Sequence, residues 1–273
     1  MSRASYWIKV DRALDHIDAL DRSIKAWLDS DAYTITKEIK EEGGNEQTSF
    51  IAHIPDPLPD DWSPLIGDAV HNLRSALDHI ALALNAKGYA DANNGAFLPV
   101  RAETAFEFPI IGDENADGKL GEGAAMFHKA ATRRLREAPA GAVAAIDLAQ
   151  PYKRGKDFRD HPLWLVFDLD RVDKHRKLVA AGAATPASSH QMQFHGLLIE
   201  ATLGWSGPVH DQLDLAHWIQ PIGTPEPDHQ VRFVRGVAFD EGMPGFGMPV
   251  VKTLRRLRDY LRADLLPALE RFL

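Results

Sequence analysis

Apolar residues recur along this chain in two rhythms, one helical and one extended. Over 9–29, Val10, Leu14, Ile17, Leu20, Ile24 and Leu28 fall at steps of three and four, which places them on one face of a helix. Residues 32–41 and 47–54 alternate instead. Glu42-Gly43-Gly44-Asn45 between them is a turn signal, so a β-hairpin is predicted after the first helix. Pro55, Pro57 and Pro59 then interrupt regular structure. Ser63 as a cap and Pro64 at the first helical position open a central helix over 64–86. Its oily side carries Ile66, Val70, Leu73, Leu77, Ile80 and Leu84, and Lys87-Gly88 reads as its end.

Residues 89–123 are irregular in pattern, with Phe108-Pro109-Ile110 as an apolar island. Helices are predicted over 124–136, over 139–149 up to Pro151, and over 161–181 from His161-Pro162. Beyond Gly182 the period changes, and 191–203, 213–221 and 229–239 read as strands. A closing amphipathic helix over 249–271 carries Val250, Leu254, Leu257, Leu261, Leu265 and Leu269. The fold class is therefore α+β: a helical bundle with an antiparallel β-sheet built from the late strands and the early hairpin. No repeat and no tether-like stretch appears, so one compact domain is expected over 1–273: helix-rich to 185, β-rich over 190–240, closed by the last helix.

With 45% hydrophobic residues among 273, the chain can bury a real core. No apolar run approaches the roughly 20 residues that span a bilayer. Met1 to Trp7 leads into a charged helix rather than an apolar leader, so a cytoplasmic protein without a membrane partner is expected. The absence of cysteine excludes disulfides, thiol nucleophiles and cysteine-ligated zinc. A net charge of -8 argues against whole-surface attraction to nucleic acid. The charge is uneven, however: residues 151–190 hold 8 Lys/Arg against 5 Asp/Glu, which allows a local basic patch.

The side of the central helix away from its oily stripe carries Asp68, His71, Arg74, Ser75, Asp78 and His79. At about 100° per residue, His71, Ser75 and Asp78 lie within about 60° of one another. Arg74 and Asp78 are an i, i+4 pair suited to a salt bridge. Glu and Lys, which favour helices and usually fill an exposed face, are missing from this one. Two readings follow: a catalytic or ligand-binding site, or a buried polar network that locks helices together. A second cluster, Asp170-Arg171-Val172-Asp173-Lys174-His175-Arg176-Lys177, ends the helix begun at 161. Its basic residues complement a helix C-terminus. Asp170 and Asp173 share a face, and with His175 they would meet the Asp68–His79 face if the two helices pack together.

A metal-dependent hydrolase is a further alternative, with His71 and His79 joined by Asp173 or His175 as ligands. Neither a His-Glu-x-x-His nor a Glu-x-x-His pair is present, and the Arg74 cation repels a metal, so no cofactor is expected. There is no Gly-x-Ser-x-Gly elbow, Walker loop or dinucleotide glycine fingerprint. The glycine-rich 242–247 stretch lacks the lysine of a phosphate loop. Trp164, Phe167, Trp205 and Trp218 read as core, and Tyr152 beside Lys153, Arg154 and Lys156 suits contact with a nucleic acid strand.

At Arg74-Ser75-Ala76-Leu77-Asp78-His79 the chain resembles the arginine-x4–6-histidine motif of HEPN domains. These are helical bundles, many of them metal-independent endoribonucleases of toxin, defence and RNA-processing systems. The resemblance implies a HEPN-like core, RNA as a partner, and a homodimer whose cleft draws on both subunits. Arg74 and His79 would be the paired catalytic residues, with His71, Asp78, Asp173 and His175 in support. The chain is also similar to a group of uncharacterised bacterial proteins, actinobacterial and phage-borne ones among them. The likeness lies in Gly67 to His79, Phe108-Pro109-Ile110, Gln150-Pro151-Tyr152 and Asp173-Lys174-His175-Arg176. That second likeness implies no activity, but it does imply that the two polar clusters form one constellation.

Overall fold

The computed structural model describes residues 4–54, 58–99, 106–114, 120–175, 177–178, 180–186, 198, 200–203, 208–225 and 233–273. The fold is α+β, and the chain divides into two compact units. The helical unit is drawn from Met1–Ala19, Pro64–Leu178 and Val251–Leu273, and the β-unit from Leu20–Ser63 and Val179–Val250. Among the described residues, no helix is long and apolar enough to cross a membrane.

Helix α1 (Ser5–Asp29) buries Tyr6, Val10, Ala13, Ile17, Leu20 and Ile24. It starts four residues before the predicted boundary because Tyr6 and Trp7 are anchored: the Tyr6 hydroxyl and the Trp7 indole N–H both donate to Glu270 Oε1, at 2.9 and 2.6 Å. Helix α2 (Trp62–Ala92) runs past its predicted end at Lys87-Gly88. The sequence pattern marks Gly88 as a stop, whereas in the fold it is a clearance. A Cβ there would overlap the carbonyl oxygen of Glu137, so only glycine lets the two backbones meet. The same stretch of α2 holds fully buried Asn85, whose amide donates to the Arg134 carbonyl at 3.1 Å and accepts from Glu137 N–H at 3.0 Å.

Helices α3 (Gly123–Arg134) and α4 (Ala140–Leu148) fall close to prediction, followed by a 3-10 turn over Pro151–Asp160. Helix α5 (Pro162–Asp173) ends eight residues earlier than expected. Lys174 and His175 turn, and strand β3 occupies Ala180–Pro186, where alanine and glycine leave no alternation to read. The closing helix is α6 (Val250–Asp259), a π-helical stretch over Tyr260–Leu265, and α7 (Leu266–Glu270). It widens just ahead of Pro267, which has no N–H for the carbonyl four residues back. Its stripe of Val250, Leu254, Leu257, Leu261, Leu265 and Leu269 is buried as predicted.

In the β-unit the early hairpin, β1 (Thr34–Glu42) and β2 (Asn45–His53), joins the late strands. The order is β1-β2-β6-β4, all antiparallel, with β4 at Glu200–Leu203 and β6 at Asp214–Pro221. A second sheet, β5-β3-β7, uses β5 (Pro208–Val209) and β7 (Phe233–Phe239). Most of the predicted 191–203 strand and the start of the 229–239 strand lie outside the described residues, as does Trp205. Tyr33, Ala52, Ile54, Val209 and Leu215 form this unit's core. Trp218 is buried, whereas Trp164 and Phe167 are only partly so.

These contacts make two stability effects measurable. Gly88→Ala should gain helix propensity of about 1 kcal/mol but lose more to the clash with Glu137. The net expectation is a lower urea midpoint, and a raised one would show that Gly88 is dispensable. The second effect concerns His161, the cap of α5, whose Nδ1 accepts from Leu163 N–H at 3.1 Å. Burial, and then the charges of Arg154 and Arg256, push its titration down to about 4. The unfolded chain therefore binds this proton more readily than the folded one. Stability should fall as pH drops from about 6.5 towards 4, by roughly 2–3 kcal/mol from this group. His161→Asn keeps a capping acceptor that does not titrate, and it should flatten that part of the stability–pH curve.

Candidate functional site

The polar face of α2 divides into two groups of contacts. The first is a clamp on backbone. Arg74, with its side chain only 12% exposed, places Nη2 3.0 Å from Asp78 Oδ1 and donates from Nη1 to the Phe108 carbonyl at 3.0 Å. Phe108 N–H donates back to Asp78 Oδ1 at 2.9 Å. One residue of the apolar island thus has both backbone groups satisfied by an ion pair one helical turn long. Burial pushes the Asp78 carboxyl above its ordinary value, against the pull of Arg74 and of the Phe108 N–H.

Gln150 continues the clamp. It accepts from Ile111 N–H at 2.9 Å and donates to the Pro109 carbonyl at 2.9 Å. Tyr152 N–H donates to the Ile111 carbonyl at 3.0 Å. The segment 108–111 is therefore held along its length by side chains of α2 and by the turn after α4. Tyr152, predicted as a nucleic-acid contact, packs its ring against Phe127 and donates its hydroxyl to Asp147.

The second group lies where the end of α5 meets the start of α2. His71, with its side chain 57% exposed, sets Nδ1 3.4 Å from Oδ1 of Asp170, which is 6% exposed. Lys174 Nζ holds the other oxygen, Oδ2, at 2.6 Å. The Ser75 hydroxyl lies 3.5 Å from His71 Nε2. Asp173 packs its carboxylate over Gly67, where any Cβ would overlap it. Burial, then the charges of Asp170 and Asp68, raise the Asp173 carboxyl above its ordinary value. Asp68 also approaches His16 Nδ1 at 3.9 Å.

His71, Asp170 and Asp173 are thus brought together, and Arg74 and Asp78 are brought together on Phe108. His79 stands apart: its Nδ1 is buried without a hydrogen-bond partner among the described residues. Burial, and then the charge of Lys9, hold its proton affinity below the usual histidine range. His175 is exposed in the turn after α5. Among the described residues, no hydrogen bond or ion pair ties its imidazole to His71 or Asp170. Arg176 lies outside the described residues. The meeting of Asp170 with the polar face of α2 was expected if the two helices pack together, whereas Lys174 as the partner of Asp170 and Gln150 as a backbone clamp were not predicted. Gln150 and Lys174 stood in the sequence only as members of the Gln-Pro-Tyr and Asp-Lys-His-Arg motifs.

Chemically, the second group is an acid–base arrangement. A buried carboxylate on Nδ1 orients the ring, and the Ser75 hydroxyl is the neighbour of Nε2. Among the described residues, no three His, Asp or Glu side chains gather to hold a metal ion. No family model, curated protein or solved structure matches this chain.

The clamp can be tested by stability. Arg74→Ala leaves Asp78 and the Phe108 carbonyl unpaired in a largely buried place. It should cost about 2–3 kcal/mol in urea unfolding. An unchanged midpoint would show that the 108–111 segment holds without it.

Proposed function

We propose that this protein is a HEPN-like, metal-independent ribonuclease in which His71, oriented by Asp170, is the proton-transfer group. The contact between the exposed imidazole and the buried carboxylate is the observation that carries the reading. RNA is the substrate class that suits such a set, because it brings its own nucleophile. His71 Nε2 takes the proton of a ribose 2′-hydroxyl as the 2′ oxygen bonds to phosphorus and the bond to the 5′ oxygen breaks. The proton returned to the departing 5′ oxygen is assigned to Asp173, whose carboxyl lies beside Gly67 and is raised above its ordinary value by burial and by Asp170 and Asp68. The HEPN likeness, carried by Arg74 and His79, suggests RNA and a homodimeric cleft, while this reading moves the chemistry from that pair to His71. In this reading Arg74 and Asp78 serve as scaffold, because both are committed to Phe108.

A second reading is a non-enzymatic oligomeric module, favoured by the same clamp on Phe108. Cleavage of total RNA in EDTA separates the two. The wild type should cut, and His71→Ala should reduce the rate by about 10²- to 10⁴-fold with an unchanged melting temperature. Equal cutting by both proteins would remove His71 from the chemistry, and no cutting by the wild type would favour the module.

A further inference from the structure

Asp170 is a single buried carboxylate shared by two partners. Its Oδ1 faces the His71 imidazole at 3.4 Å, and its Oδ2 holds the Lys174 ammonium at 2.6 Å. We propose that Lys174 is a positioning residue that sets the basicity of His71 through this shared carboxylate.

The argument is electrostatic. The closer and fully charged partner is the ammonium, and it opposes the carboxylate at the ring only while Oδ2 holds it in place; without that anchor the exposed lysine is released to water. Asp170 is 6% exposed, whereas the side chains of Lys174 and His71 are each 57% exposed, so the carboxylate is the buried member of the three. Lys174 cannot drift far from its place. Its own N–H closes the last turn of α5 on the Asp170 carbonyl at 3.2 Å, and its side chain returns to the same residue one turn back.

The other charges around His71 do not replace it. From α5 come Asp170, Asp173 and Lys174; Asp173 lies over Gly67, one turn from His71. On α2 itself, Asp68 lies one turn before His71 and approaches His16 of α1, while Arg74 is occupied by Asp78 and Phe108. The ring thus has Asp170 in contact and Asp173 nearby, and Lys174 is the cation on the carboxylate it touches.

For its catalytic consequence the inference rests on His71 as the proton-transfer group. Its physical content is read separately, from the NMR titration of the His71 ring in the intact protein. Lys174→Met should raise the His71 midpoint by about one unit, and the acid limb of the pH–rate profile should move with it. Lys174→Arg keeps the charge and should leave the midpoint within about 0.3 unit of wild type.

Passage through the carboxylate is tested in the Asp170→Asn background. There, Lys174→Met should shift the midpoint by less than half as much. No shift with Lys174→Met, or an equal shift in both backgrounds, overturns the proposal; the second result would mean simple repulsion across space. Should Asp170→Asn fail to fold, the Met and Arg variants alone decide, and equal shifts from the two overturn it. Loss of RNA cleavage in the wild type would sink the functional reading without touching these titrations.

Discussion

An extended segment with no sheet partner must find hydrogen bonds elsewhere, and the way 108–111 does so organises the helical unit. Phe108 is fully buried, so its N–H and carbonyl cannot turn to water. Arg74 and Asp78 satisfy both, and Gln150 with the Tyr152 N–H satisfies the residues that follow. Arginine suits the role because its fork bonds a carboxylate and a carbonyl at once. The ion pair is retained for what it grips, since a buried pair adds little stability by itself.

Fixing that segment frees the neighbouring part of α2 for a different use. Two turns of one helix carry both a backbone clamp and a half-exposed imidazole. Arg74 is tied to Asp78 and the Phe108 carbonyl, whereas the ring of His71 lies between Asp170 at Nδ1 and the Ser75 hydroxyl at Nε2 with its side chain 57% exposed. Neighbouring polar residues with similar spacing thus differ in chemistry because of what packs against each.

The helical rhythm made most helices legible, and alternation made the hairpin and β6 legible, because those patterns report burial directly. Contacts between distant backbones were not legible. Gly88 looks like a helix stop and is a point of close approach to Glu137, so α2 is longer than its pattern suggests. Strand β3 has small side chains throughout and no period. At the site, the polar face stood out by its residue types. Which residues would pair with Phe108, 30 positions or more away, had no local signal. The HEPN spacing drew attention to His79 rather than to His71. Asp170 and Asp173 were equivalent on paper, and only packing against Gly67 and His71 gives each a separate place.

The helical unit is stitched from three separated stretches of chain, and its first helix is tied at Tyr6 and Trp7 to Glu270. A nascent chain therefore cannot complete this unit until residue 270 has left the ribosome. Until then, Tyr6, Trp7, Asp11 and Asp18 of α1 lack the partners they have in Glu270, Arg262 and Arg255 of the closing helix. Loops of this length also make native pairing slow relative to local helix formation. The interval between synthesis and closure is thus the stage at which this protein is most exposed to chaperones and proteases.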